Sequence, residues 1–535
     1  MLYPIYFLIE KSFLVDGSFS FYFVVHAFID KENVELLLRS INLALLSTLF
    51  STLISFPLSF LSGAFSFRAK GFLQLLVLFP LILPPFVGAV GLKQMLARFG
   101  PVNLILLKLG ILDSPIDFLG EGGYIAVAIT QALHLFPIMY LNLSAALASR
   151  DPALEEAARC VGAPFSKILS RIILPMLLPG FFAGASIVFI WSFTDIGTPL
   201  VFRVERLLPV VIFNLRDQIH DNPAGYALAL VTLVVSIVIF IFGKLISSSK
   251  ISSSAKGSAR NTLRPLRAKE AFIVGFPVLS CLALALLPHI GVLLLSFSDK
   301  WFMSILPQSY TLSSYALVFS HSITLTSMRN SLFLSFSSTI LDIFLGIAIA
   351  WLVQRTLIKG RKALDVLCML PLAVPGVILA FSYLGAFSGT ILNPRVNPFP
   401  LLIIGYALRR LPFMLRAVSA GLEQANKSLE EAAFSVGASK WQCFRSITLP
   451  LLFPHIAAGA ILSFAFAMLE VSESLLLAME ERYFPVSKAM YVLIGRPDGL
   501  QLASALGILG MLLIAASLYI AAKALGKDIA EVFRL

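Results

Sequence analysis

Glu156-Ala-Ala-Arg-Cys-Val-Gly162, followed by Ile172-Ile-Leu-Pro175, returns 275 positions later as Glu431-Ala-Ala-Phe-Ser-Val-Gly437 with Ile447-Thr-Leu-Pro450. The pattern E-A-A-x3-G-x9-I-x-L-P occurs twice without a departure, which marks the chain as an internal repeat. Working outward, Leu154-Glu155 matches Leu429-Glu430, Pro137 matches Pro412 and Asp195 matches Glu470, all at the same spacing. Farther upstream, Pro80-x3-Pro84 pairs with Pro371-x3-Pro375 at a spacing of 291, as loops of different length require.

The surrounding composition says where such a repeat can live. The 535 residues are 58% hydrophobic and 13% charged with a mean hydropathy of +0.90, whereas soluble domains carry about 25% charged residues. A water-soluble globule is excluded, and so is a disordered chain, because 45 Phe and abundant Leu, Ile and Val cannot stay solvated. A bilayer core about 30 Å thick needs about 20 apolar residues per helix. That window predicts an all-α polytopic membrane protein with spans at 36–62, 71–97, 122–148, 172–194, 224–246, 272–297, 325–353, 363–388, 398–422, 447–470 and 501–523.

Between the fifth and sixth spans lies a Ser-rich basic linker, 247–270, with six Lys or Arg against one acid. Positive loops stay in the cytoplasm, so the net charge of +12 reads as topology and not as nucleic-acid binding. The division is then 1–246 as one half, 247–270 as the linker and 271–535 as the other half. Pro4 to Phe13 resembles Pro288 to Phe297, the outer end of the second half's first helix, but only three residues precede Pro4. The first helix is therefore expected to be truncated or to start upstream of Met1, giving 11–12 membrane helices in all. Four scattered cysteines without a CxxC, and six histidines without ligand spacing, predict neither disulfides nor a metal site.

The segments around the repeated motif read as short helices between spans. Pro152 suits a first turn, and Ser428, three residues before Glu431, suits a capping box. The Glu pairs favour the positive helix N-terminus, and the Ala pairs leave a smooth face. Gly162 and Gly437 permit a left-handed turn, while Pro175 and Pro450 are expected early in the next span, where a missing donor costs least.

These duplicated loops resemble the cytoplasmic signature of binding-protein-dependent ABC importer permeases. The chain as a whole is similar to the fused double permeases of the iron(III), thiamine and related importers, the iron(III) branch most of all, with polyamine permeases also related. The resemblance implies two tandem parallel repeats of the type I importer bundle in a bacterial inner membrane. It implies that Glu155, Glu156, Ala157, Ala158 and Gly162, with Glu430, Glu431, Ala432, Ala433 and Gly437, form coupling helices. Each would dock on one of two copies of a separate cytoplasmic ATPase, while an external binding protein delivers the substrate and lipid surrounds the spans. No GxxxxGK[ST] is present, since Gly243-Lys244 and Gly526-Lys527 are followed by Leu and Asp. The chain is therefore expected to be a transport subunit and not an enzyme, without cofactor or metal of its own, with ATP and Mg on its partners.

Polar residues inside spans are expensive and mark pathway candidates. Asp195 and Glu470 end equivalent helices, Glu473 lies one turn on, and Arg409 and Arg410 precede Pro412 where the first half has His134 and Leu135. Pro80, Pro84, Pro371 and Pro375 are expected to bend two equivalent helices around the path. The stretch Phe193-Thr-Asp-Ile-Gly-Thr-Pro-Leu-Val-Phe202 looks most like the iron(III) branch, with thiamine or a polyamine next and an oxyanion or phosphonate after that. The outer Arg203, Arg206 and Arg216 keep the anion alternative open. An ion-coupled secondary transporter also shows parallel repeats, and the duplicated EAA loops argue against it.

Overall fold

Runs of Leu, Ile, Val, Phe and Ala leave the backbone amides of an apolar segment no partner but their own chain, so helix dominates. The computed structural model describes residues 1–15, 18–67, 70–120, 123–148, 152–219, 222–247, 264–265, 268–497 and 499–525. Most of the basic linker lies outside these residues.

In chain order the principal helices are α1 (Leu2–Phe13), α2 (Lys31–Ala64), α3 (Lys70–Leu78), α4 (Pro85–Leu96), α5 (Tyr124–Ala148), α6 (Pro152–Cys160), α7 (Leu174–Phe193), α8 (Pro223–Ser247) and α9 (Ala268–Phe297). There follow α10 (Ser322–Arg355), α11 (Arg361–Met369), α12 (Gly376–Phe387), α13 (Phe399–Gln424), α14 (Lys427–Ser435), α15 (Leu449–Met468) and α16 (Gly499–Leu525). Nine of the eleven spans read from the sequence each fall on one of these, and 71–97 and 363–388 each fall across two. Among the described residues eight helices are long and apolar enough to cross a membrane, and two more spans are broken pairs, each bent by 101°. α13 has the length of a span but carries Arg409, Arg410 and Arg416. Among the described residues strand is confined to short pairs: Leu14–Val15 with Ser18–Phe19, Ser298–Lys300 with Ser309–Tyr310, and the parallel Phe65–Ser66 with Arg264–Pro265.

By packing, the chain divides into residues 11–312 and residues 1–10 with 313–535. The boundary of the sequence repeat and the boundary of packing are thus different lines. In the first unit α9 lies on α4 at a crossing so close that a Cβ on Gly91 would overlap the Pro288 carbonyl, and one on Gly291 the Gly91 carbonyl. The core of this unit joins Leu58, Leu73, Val77, Leu92, Phe136 and Leu282 from five helices. In the second unit the ring of Tyr3 of α1 lies tilted 5.6 Å from that of Phe387 of α12, and Met414, Leu415 and Val418 pack with Ala350 and Leu452.

Polar side chains hold α2 to α5. Ser51, Ser55 and Ser59, one per turn, donate to the carbonyls of Ala132, Phe136 and Tyr140 at 3.4, 2.8 and 3.3 Å. Ser47 donates to Gln131 at 2.9 Å, and Tyr140 donates back to Ser62 at 3.0 Å. Small hydroxyl residues let two helices approach where burial of apolar surface gives no drive. In the second unit Gly346 of α10 plays the same part against Met414.

The prolines sit where both breaks occur. Pro84 caps α4, and Pro375 caps α12. Pro84 has no N–H for the carbonyl of Pro80, and His134 Nδ1–H supplies that donor at 2.9 Å. Pro175 and Pro450 are placed differently from the sequence expectation. Their spans begin earlier, at Phe165 and Lys440, so the prolines stand about three turns in. A π turn, 169–173 or 444–448, immediately precedes each and makes room for the ring.

Candidate functional site

The two EAA helices, α6 and α14, share one pattern of exposure. Glu156 and Ala157 face outward, as do Glu431 and Ala432, while Glu155, Ala158, Glu430 and Ala433 turn inward. The alanine pair is therefore divided, as a period of 3.6 requires, and only its first member lies on the open face. Gly162 and Gly437 adopt φ of +78° and +88°, with nothing near the position of a Cβ. The cap of α14 differs from the one read in the sequence: Asn426 accepts from Ser428 N at 3.0 Å, and Ser428 lies inside the first turn. The capping box occurs later, between Ser439 and Gln442. Pro152 is the first described residue of α6.

Sequence reasoning missed the apolar tip of each loop. Val161 is 83% exposed and Val436 is 86% exposed, in equivalent positions just before the glycine. With Leu154 and Leu429, both about half exposed, they make each EAA helix an open face of one apolar and one acidic strip. The repetition of Val-Gly at both sites was the available signal.

In the second unit four of the five pathway candidates form one buried group. Glu470, at the corner after α15, accepts from Arg409 Nη1 at 2.7 Å on one oxygen and from Arg410 Nη2 on the other. Arg410 also donates to the Phe466 carbonyl at 2.8 Å. The corner is tied further by Ser474 and Ser487, which donate to the Glu470 carbonyl at 2.7 and 2.5 Å, and by Tyr406, bonded to Ser474 at 2.6 Å. Arg409 lies over Gly376 at the helix break, where a side chain would overlap its guanidinium. Glu473 is fully buried against Gly405, and neither of its oxygens has a hydrogen-bond partner. Arg416 lies apart, paired with Asp365 at 3.8 Å.

Asp195, in the first unit, is held by uncharged donors instead. Gln131 Nε2 donates to it at 3.1 Å and Gly197 N at 3.0 Å. Gln131 is fixed by Ser192 at 2.5 Å and by Ser47. The equivalent corners therefore carry different chemistry: Gln131, His134, Leu135 and Thr198 stand where the second repeat has Tyr406, Arg409, Arg410 and Glu473. Asp342 was also missed by sequence reading, although it is the single acid in the span 325–353. It is fully buried beside Ser463, within electrostatic reach of Arg410. Among the described residues no group of three or more His, Cys, Asp or Glu side chains is arranged to hold a metal ion.

Comparison with known proteins follows the same twofold division. The family described as the binding-protein-dependent transport system inner membrane component matches residues 55–251 and 342–531. Each matched segment contains one EAA helix and one corner acid. A Haemophilus influenzae permease named for ferric transport is 30% identical over 406 residues, covering 74% of this chain and 62% of that protein. The ferric transport system permease protein of Actinobacillus pleuropneumoniae is 30% identical over 406 residues, covering 74% and 57%. The chain thus spans less than two thirds of the length of these two relatives. A spermidine/putrescine transport system permease protein of Escherichia coli is 28% identical over 248 residues, covering 44% of this chain and 88% of that one.

Proposed function

The chain belongs to the family of binding-protein-dependent transport system inner membrane components, and from that membership we propose that it is the whole membrane pathway of an ABC importer. Both halves of the pathway are on one polypeptide, and the energy comes from separate ATPase subunits. The observation that carries this reading is the pair of equivalent open helices, α6 and α14, each ended by a left-handed glycine. An exposed strip of Val, Leu, Ala and Glu on a short helix is a shape another protein's groove can take. In this reading the two helices face the cytoplasm and each receives one ATPase subunit. Closure of the ATPase pair on ATP and Mg moves both helices, and the halves rock to receive substrate from an external binding protein.

The substrate we propose is iron(III). The similarity to two ferric transport permeases supports it, and capture by an external protein leaves little selection to the membrane part. Polyamine import is the second reading, supported by the similarity to the spermidine/putrescine permease. The outer arginines give less support to an anion: Arg216 stacks at 4.0 Å on Phe213 and pairs with Asp217, and Arg206 lies 3.9 Å from Glu35. The test is uptake in proteoliposomes containing the permease, its ATPase and its binding protein, offered radioactive iron(III), spermidine, thiamine or molybdate in turn. ATP-dependent accumulation of iron alone is expected. Uptake driven by an ion gradient without ATP would overturn the class, and uptake of another solute would overturn the substrate.

A further inference from the structure

Arg355 ends α10, and the sequence offers it only as one of four cations on a single loop. In the structure its side chain is 8% exposed, and Nε and Nη2 bond to the end of α13 and the start of α14. Nε donates to Glu430 Oε1 at 3.2 Å, and Nη2 donates to the carbonyls of Leu422 at 3.0 Å and Ala425 at 3.4 Å. Those carbonyls close α13, where the last turn has no helical donors left and the helix dipole favours a cation. Glu430 lies in the first turn of α14 and also accepts from Thr448 Oγ1 at 3.4 Å, in the π turn that leads into α15.

One guanidinium therefore joins the ends of α10 and α13 to the start of α14 and, through Glu430, to the root of α15. The two glutamates of α14 are thereby distinguished by partner as well as by face. Glu431 is on the open face, and Glu430 is 13% exposed and internal. A planar guanidinium with its donors fixed in a fork suits such a junction, whereas a lysine reaches one acceptor at a time without fixing their directions.

We propose that Arg355 is a positioning residue that makes α14 move as one body with α10, α13 and α15, so that a push on α14 reaches the spans and is not absorbed in the loop. Anchoring is a statement about this chain alone. Transmission rests on the importer reading above.

The experiment therefore has two arms, on Arg355→Ala, Arg355→Lys and Glu430→Gln in the full chain. In the permease by itself, amide exchange over 427–437 is expected to quicken by about tenfold or more in Arg355→Ala, less in Arg355→Lys, with 324–340 unchanged. Glu430→Gln should loosen 427–437 while leaving the end of α13 protected, a split that simple helix capping by Arg355 would not give. In the reconstituted importer, the ATPase should still co-purify with Arg355→Ala and keep its basal hydrolysis. Uptake and the stimulation of hydrolysis by the binding protein should fall by about fivefold or more. Unchanged exchange over 427–437 overturns the anchor, and quickened exchange with normal uptake overturns transmission. Loss of the ATPase on purification also overturns it, assigning Arg355 to assembly. A wild-type complex that imports nothing counts against the importer reading, while the exchange arm still upholds or overturns the anchor.

Discussion

At the scale of single residues the decisive contrast is between two acids three positions apart. Glu470 satisfies two arginines, whereas Glu473 has no donor although it is fully buried. Removing one partner of a buried ion pair costs about 3–5 kcal/mol, because the remaining charge stays desolvated. Glu470→Gln is therefore expected to lower thermal stability in detergent by about that amount. Arg482→Ala, which breaks an exposed pair with Glu480 at 2.7 Å, should cost less than about 1 kcal/mol. Glu473→Gln should leave the melting temperature unchanged or raised, since it removes no hydrogen bond or ion pair. A second contrast concerns Gly162 and Gly437. Space is open around both, so Gly→Ala meets no clash, only the left-handed backbone at about 1–2 kcal/mol. If the chain is the importer permease proposed above, Gly437→Asn should retain more uptake than Gly437→Ala, while Gly162→Asp or Gly437→Asp, which adds a negative charge to the open face, should uncouple hydrolysis from uptake with the permease still inserted. The candidate acids and arginines were all legible as polar residues in apolar spans. That Arg409 and Arg410 share one acid was not, because sequence cannot say which of two nearby acids a guanidinium reaches.

At the scale of elements, the spans were legible almost to their ends, since length and hydropathy set them. What the pattern did not reveal was how α2 and α5 adhere. Ser47, Ser51, Ser55 and Ser59 recur every fourth residue, a helical stripe that was present in the sequence and reads as polar only once a partner's carbonyls lie against it. Interhelical bonds of this kind are worth about 0.6 kcal/mol each. Ser55→Ala should therefore be mild, and Ser55→Val should destabilise more, because its bulk forces α2 and α5 apart; thermal unfolding of the two variants separates these effects. The prolines announced two broken helices, and both breaks are present. The donor that satisfies one freed carbonyl came from His134, far along the chain, which no local rule could supply. The shift of Pro175 and Pro450 into the body of their spans has a comparable cause: an apolar window ignores the polar first turns from Phe165 and Lys440, which the helix nevertheless includes.

At the scale of the molecule, packing redraws the division suggested by the repeat, with α9 in the first unit and residues 1–10 in the second. Two outcomes follow. Gly91→Leu should drive α9 off α4 and lower the stability of the first unit, seen as faster amide exchange in 278–292. Deletion of residues 1–10 should quicken exchange in α12, against which the Tyr3 ring packs, and leave α2 and α5 protected. The sequence by itself determined that this is a duplicated helical membrane protein with two equivalent exposed loops, because hydropathy, turn chemistry and repetition are properties of neighbouring residues. Tertiary structure alone decided that Glu470 is paired with two arginines and Glu473 with none, that the two corners differ in chemistry, and that Arg355 ties four helices together. Those outcomes depend on which side chains meet after burial, where a hydrogen bond or an ion pair is set by geometry between segments tens to hundreds of residues apart.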